Sequence, residues 1–185
     1  GWKGEKWLVA DQVGNHLAFV YNKALLPDVP ETWGELVPLL EKLTVDDNGD
    51  GRPERYGLTW NYTEPFFFVP FLTGYGGWMM DEAGNPTLDT PAMKDAIEFV
   101  LALRDTYRVI PRESDYNVAE TLFKEGRAAA IINGPWAWAG YGDAGIDYGI
   151  ARIPRVDATG LWSAPVVSSK GLAYTIRPIG RPSLV

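Results

Sequence analysis

No cysteine occurs among the 185 residues, so disulfides, thiolate metal sites and a cysteine nucleophile are excluded together. That absence leaves the compartment open, because disulfide-free proteins live on both sides of a bacterial membrane. There is a single histidine, His16, which removes multi-histidine zinc sites and makes any Ser-His-Asp system depend on that one residue. Basic side chains are the minority, 17 against 24 acidic, for a net charge of -7. A phosphate backbone or an anionic membrane surface is bound by clustered Lys and Arg, so nucleic acid and such membranes are poor partners for this chain. The longest apolar run, Pro65 to Leu72, falls far short of the roughly 18–20 residues of a membrane-spanning helix. Gly1-Trp2-Lys3-Gly4 carries no initiator Met, basic region or apolar stretch of a signal peptide. The last residues, Arg181 to Val185, follow a strand-like segment where a helix would be expected next, so both ends read as cuts through a larger chain.

What is present is an ordinary globular balance, 46% apolar and 22% charged, with an excess of aromatic residues: eight Trp, nine Tyr and seven Phe, 13% of the chain. Rigid flat rings suit either a stacking ligand or a core. Leu17–Tyr21, Ala128–Ile132, Tyr148–Ile153 and Gly171–Ile176 read as strands, the second apolar enough to be covered on both faces. Thr32 and Glu35 predict a capping box for a helix carrying Trp33, Leu36, Val37, Leu40 and Leu43, which Pro38 should kink or shorten. Thr90-Pro91 predicts the start of the longest helix, running to about Tyr107 with Met93, Ile97, Val100, Leu101 and Leu103 buried. Asn117 and Glu120 predict a further cap for a helix that ends at Gly126. Helices alternate with strands, which predicts a single α/β domain around a central sheet.

Four groups of residues can carry chemistry. Asp46, Asn48 and Asp50, with Gly51 after them, match the opening of a calcium loop, but the position that should supply a bidentate Glu is Gly57, and Glu54 substitutes only in part. A polar turn in which Asp and Asn cap their own backbone is the favoured reading. Glu64 precedes a helix start at Pro65 and three aromatics, Phe66-Phe67-Phe68. A carboxylate there can accept bonds from sugar hydroxyls beside a ring, or it can merely complement the helix dipole. Asn133-Gly134-Pro135-Trp136-Ala137-Trp138 puts a tight turn directly after a strand, the place where open α/β sheets bind ligands. Trp136 and Trp138 point about 200° apart on a helix, so one is expected to face the cleft and the other the core. Asp115-Tyr116 offers a hydroxyl and a ring, or a cap. A glycosidase needs two carboxylates about 5–10 Å apart, and no local motif pairs Glu64 with Asp115. Gly74-Tyr75-Gly76-Gly77 lacks the lysine and the strand-to-helix setting of a phosphate loop.

Taken together, Tyr21-Asn22-Lys23, Leu26-Pro27, Pro30-Glu31-Thr32-Trp33, Glu64-Pro65-Phe66-Phe67, Asp115-Tyr116, Phe123, Gly126, Ile132 to Trp138 and Asp147-Tyr148-Gly149 resemble the extracellular solute-binding proteins of the maltose/maltodextrin type. The resemblance runs from about Leu8 to Ile176. It implies one lobe, mainly the carboxy-terminal one, of a periplasmic-binding-protein type II fold, with a central mixed sheet flanked by helices. Residues 1–16 would be a piece of the amino-terminal lobe and the first crossing, 17–168 the carboxy-terminal lobe, and 169–185 the second crossing and the return. The implied function is the substrate-binding component of an ABC sugar transporter: not an enzyme, monomeric, without cofactor, outside the cytoplasm, in the periplasm or lipid-anchored, with membrane subunits as partners of the full-length protein. Binding of another disaccharide or polyol is the alternative, and a secreted glycoside-active enzyme the third reading. Position by position, Glu64 matches the hydroxyl-binding carboxylate, Phe66 stands where a Tyr is common, Phe67 matches its aromatic neighbour, Tyr116 a sugar-contacting Tyr, and Trp136 the indole beneath a glucose ring. Asn15 stands where the maltose binders carry a Glu. His16 beside it is either an extra ligand or a hinge-packing residue.

Overall fold

Strand β4 (Ala128–Asn133) is buried along its whole length, because Ala128, Ala129 and Ala130 are small enough to let helices close on both of its faces. The computed structural model describes residues 9–172 and sets β4 inside a four-stranded sheet of order β3-β4-β2-β5. β3 (Tyr56–Thr59) runs parallel to β4, β2 (Ala18–Asn22) antiparallel to β4, and β5 (Tyr148–Ala151) antiparallel to β2. The sheet is therefore mixed. Ala18 lies opposite Asn133, Phe19 opposite Ala151, and Thr59 opposite Ile131. These registers bring the carboxyl ends of β3, β4 and β5 and the amino end of β2 to one edge. β1 (Val9–Gly14) and β6 (Ser168–Leu172) form a separate antiparallel pair. The expected strand over 171–176 overlaps β6 at its first two residues, and its remainder lies outside the described region.

Alternation along the strands divides the core. Phe19, Ala130 and Ile132 join Trp33, Leu36, Leu40, Trp60 and Phe71 on one side, while Val20 and Ile131 join Phe123, Ala137 and Tyr141 on the other. Helix α1 (Trp33–Leu43) starts where Thr32 predicts, its hydroxyl accepting the Glu35 N–H at 3.3 Å. The box is incomplete, however. The Glu35 carboxylate meets the Thr32 hydroxyl, and the Trp33 and Gly34 amides go instead to Arg155 and Asp157 of a distant loop. Nor does Pro38 shorten the helix. It lies on the exposed side, where the carbonyl it leaves unpaired can be hydrated, while Trp33, Leu36, Val37 and Leu40 hold the opposite face in the core.

α2 (Pro65–Gly74) is apolar on nearly every side. α3 (Pro91–Asp105) is capped by Thr90 as expected, but its buried face is rotated from the predicted one: Ala96 and Leu103 are buried, whereas Ile97 is 44% exposed. Phe99 sets that rotation by packing on Trp33, with ring centroids 5.4 Å apart, and on Phe71 and Tyr75. The helix also stops at Asp105, and Arg108 turns into the left-handed region. α4 (Tyr116–Lys124) is capped by Asp115, whose carboxylate accepts the Val118 N–H at 2.8 Å, and not by the Asn117–Glu120 pair. α5 (Pro135–Asp143) follows Gly134 directly. Among the described residues no helix is long and apolar enough to cross a membrane.

Close approach of α1 to β3 requires a glycine. A Cβ on Gly57 would collide with the Leu40 carbonyl and lie 2.7 Å from the Leu40 Cβ. Gly57→Ala is therefore expected to destabilise the domain by about 1–3 kcal/mol, as overpacking does. Urea unfolding that shows no change would mean that α1 sits further from the sheet.

Candidate functional site

From the edge of β3 the chain passes through Trp60 and Asn61 to Glu64. Asn61 is buried and shapes this turn, its side-chain oxygen accepting the Thr63 hydroxyl at 2.7 Å and the Thr63 N–H at 3.2 Å. Glu64 then occupies the N-cap position of α2, but its side chain makes no capping hydrogen bond and is exposed. Its acceptor oxygens make no bond to the helix amides and remain available at the rim. Phe66, half-buried, follows on the first turn. Phe67 is 3% exposed and belongs to the core, edge-on to Phe66 with centroids 5.6 Å apart. The expectation that Phe67 faces a ligand is thereby corrected: successive helical residues diverge by about 100°, so one of the two rings must turn inward, and Phe67 supports Phe66 from behind.

At the end of β4, Trp136 is 45% exposed and Trp138 half-buried, the divergence expected of residues two apart on a helix. The Trp136 ring tilts against Phe66, centroids 6.3 Å apart, and its indole N–H donates to the Tyr116 hydroxyl at 3.0 Å. Phe66, Trp136 and Tyr116, three residues scattered over the chain, thus form one continuous aromatic surface. Because Tyr116 accepts from the indole, its own proton is free to be donated outward.

The chain enters the same edge ahead of β2. Asn15 is exposed and takes a positive φ of 54°, which an asparagine tolerates better than most residues. His16 packs edge-on against Trp138, centroids 5.8 Å apart, so its ring is engaged by the core-side indole. Beyond β2 a concavity lined by His16, Ile150, Arg152 and Trp162 continues the edge, with the Arg152 guanidinium 5.1 Å from the Trp162 ring.

The Asp46–Asp50 loop precedes β3 and therefore lies toward the opposite edge of the sheet. The two Asp46 oxygens accept the Gly49 and Gly51 amides at 2.8 and 2.9 Å, Asn48 accepts from Asp50, and Asp50 from Arg52. Glu54 takes the Asp47 amide and the Asn48 side chain. The oxygens that a calcium reading would assign are thus engaged in closing the turn. Among the described residues no three His, Asp or Glu side chains are grouped so as to hold a metal.

Sequence reasoning read Glu120 as a capping residue and Asn133 as the opening of a turn, and missed that both join Tyr141. The three meet beneath the Gly134 turn: Glu120 accepts from the Asn133 amide at 2.8 Å and from the Tyr141 hydroxyl at 2.5 Å, and pairs with Lys124 at 2.6 Å. The available signal was an asparagine closing an otherwise wholly apolar, doubly covered strand.

A family model described as bacterial extracellular solute-binding protein matches residues 5–176. The maltotriose-binding protein of Pyrococcus abyssi is 31% identical over 152 residues, which cover 80% of this chain and 32% of that protein. The maltodextrin-binding protein MdxE of Bacillus subtilis is 31% identical over 175 residues, 88% of this chain and 41% of that protein. Among solved structures, the maltose/maltodextrin-binding domain MalE from Bdellovibrio bacteriovorus bound to maltotriose superposes with a TM-score of 0.86 at 47% identity, covering 92% of this chain and 45% of that one. The chain spans less than half the length of each.

Proposed function

Since this chain belongs to the family of bacterial extracellular solute-binding proteins, we propose that it forms the sugar-binding lobe of the solute-binding component of an ABC transporter for maltose- and maltodextrin-like oligosaccharides. The observation that carries this reading is the joined surface of Phe66, Trp136 and Tyr116 at the carboxyl edge of the sheet, beside the uncapped carboxylate of Glu64. A pyranose ring has an apolar C–H face and a hydroxyl rim. Aromatic packing of the kind Trp136 and Phe66 offer contributes on the order of 0.5–1.5 kcal/mol beyond area burial. Glu64 accepts from sugar hydroxyls while Tyr116 donates to a sugar oxygen. Each such pair matters because a buried polar group left unpaired costs about 1–3 kcal/mol. Asn15 adds an amide at the crossing, and residues 17–168 make up the lobe. A second lobe closing over the sugar desolvates its other face. The names of the relatives support the choice of ligand. In this reading the intact protein works outside the cytoplasm, in the periplasm or lipid-anchored at the cell surface. It acts as a monomer, delivers sugar to membrane subunits and performs no chemistry on it.

Titration calorimetry tests the reading. The intact protein is expected to bind maltotriose, and residues 1–185 alone to bind it at least about 100-fold more weakly, in the millimolar range or undetectably, because half of the desolvation is missing. Equal affinity of the two would remove the need for a second lobe. A larger thermal shift with a polyol or an unrelated disaccharide would reassign the ligand, and cleavage of maltotriose on incubation would make the protein an enzyme.

A further inference from the structure

We propose that Glu120 is a positioning residue for the aromatic platform: it orients the Asn133 side chain, which in turn holds the Gly134 turn on which the Trp136 ring lies. This rests on the sugar-binding reading above for its consequence, though not for its geometry. Glu120 comes from α4, Asn133 from the end of β4 and Tyr141 from α5, so the three tie these elements together beneath the turn.

The order of control follows from donors and acceptors. Asn133 is 2% exposed, and its side-chain nitrogen donates both to Glu120 and, at 2.9 Å, to the Tyr141 oxygen. A carboxylate only accepts, so the amide nitrogen must face Glu120, and the flipped amide would set two acceptors against each other. The amide oxygen is thereby turned onto the Gly134 N–H, at 2.9 Å. Burial and the bond to Glu120 push the Tyr141 hydroxyl well above the usual phenol range, so it remains a donor at working pH.

Gly134 is the residue whose backbone would otherwise be free to vary, and here it is held at φ -107 and ψ 176 as the N-cap of α5. The Trp136 ring folds back over it: a Cβ built on Gly134 would lie 2.6 Å from the ring's Cε3 and closer still to other ring carbons. The ring therefore rests on the Gly134 backbone, and its direction follows the turn. Ala119, Leu122, Phe123 and Ala137 form one buried cluster with Tyr141, which an apolar side chain at 120 could extend without the desolvation cost of a carboxylate. What the carboxylate adds is the orientation of Asn133.

The test labels the intact protein with fluorotryptophan and assigns the Trp136 resonance by its loss in Trp136→Phe. Glu120→Met keeps the length and removes the acceptor; it is expected to shift or broaden the Trp136 signal, leave those of buried Trp33 and Trp60 in place, and weaken maltotriose binding about tenfold. Glu120→Gln, which retains an acceptor oxygen for Asn133, is expected to restore both signal and affinity. If Glu120→Met does not fold, Tyr141→Phe decides, with a smaller Trp136 shift in the same direction. An unmoved Trp136 signal in the folded variants overturns the proposal, as does a uniform shift of all the tryptophan signals in both the Met and the Gln variants, which would mark a general packing role. If the parent protein binds no maltotriose, the sugar reading fails, and the Trp136 signal still decides the positioning role.

Discussion

Gly134→Ala is expected to remove most of the sugar affinity while leaving the unfolding curve where it is. The backbone at 134 is extended, with φ at -107, a conformation alanine adopts freely, so no backbone strain arises. The added methyl meets the Trp136 ring first, which has no room for it and must swing off the turn. In leaving, the ring gives up its bond to the Tyr116 hydroxyl and its contact with Phe66. Losing one stack and one ordered hydrogen bond amounts to about 2–3 kcal/mol, or roughly 30–140-fold in affinity. Trp136→Ala should weaken binding to a similar extent, and combining the two should add little, because both remove the same platform. Calorimetry with maltotriose on the two single variants and the double variant checks this. An alanine variant that binds as the parent does would show that the sugar lies elsewhere on the edge.

Trp33→Ala is expected to have the largest effect on stability. The indole is 2% exposed and stands where α1, α2, α3 and the sheet meet. It stacks on Phe71 at 5.7 Å and lies edge-on to Phe99 and Phe19. Its N–H donates to the Ser163 hydroxyl at 3.1 Å, which itself donates to the Pro154 carbonyl at 2.7 Å, so the ring also secures the long loop after β5. Truncation leaves a cavity and a broken chain of bonds, for about 3–5 kcal/mol. Against a total of about 5–15 kcal/mol that is enough to leave much of the protein unfolded at moderate temperature. Urea unfolding monitored by circular dichroism gives the measurement. A loss below about 1 kcal/mol would mean that the three helices pack without this ring as their common contact.

Local signals proved legible where one hydrogen bond or one turn decides them. Thr32 and Thr90-Pro91 announce helix starts because the capping partner lies within three residues, and each starts its helix where the pattern places it. Two caps within three residues were less readable: Asp115 and Asn117 both qualify, and Asp115 caps the helix. β3 was not anticipated at all. Its four residues include a glycine and show no alternation, and they become a strand by pairing with β4, more than seventy residues away in the chain. Phe66 and Phe67 are equivalent as text, and so are Ile97 and Phe99. Which member of each pair is buried depends on what packs above the helix.

The order of motifs along the chain, above all Asn133 to Trp138 and Glu64 to Phe67, determined the family, the class of fold and the aromatic residues from which a sugar site would be built. Tertiary structure alone decided that Trp136 lies against Phe66 and donates to Tyr116, that Phe67 belongs to the core, and that Glu120 sits beneath the turn. The physical reason is range. Caps and periodicities are satisfied by neighbours within about four residues, whereas the binding edge joins side chains twenty to seventy residues apart, and their exposure is set only when the sheet registers bring the strand ends together.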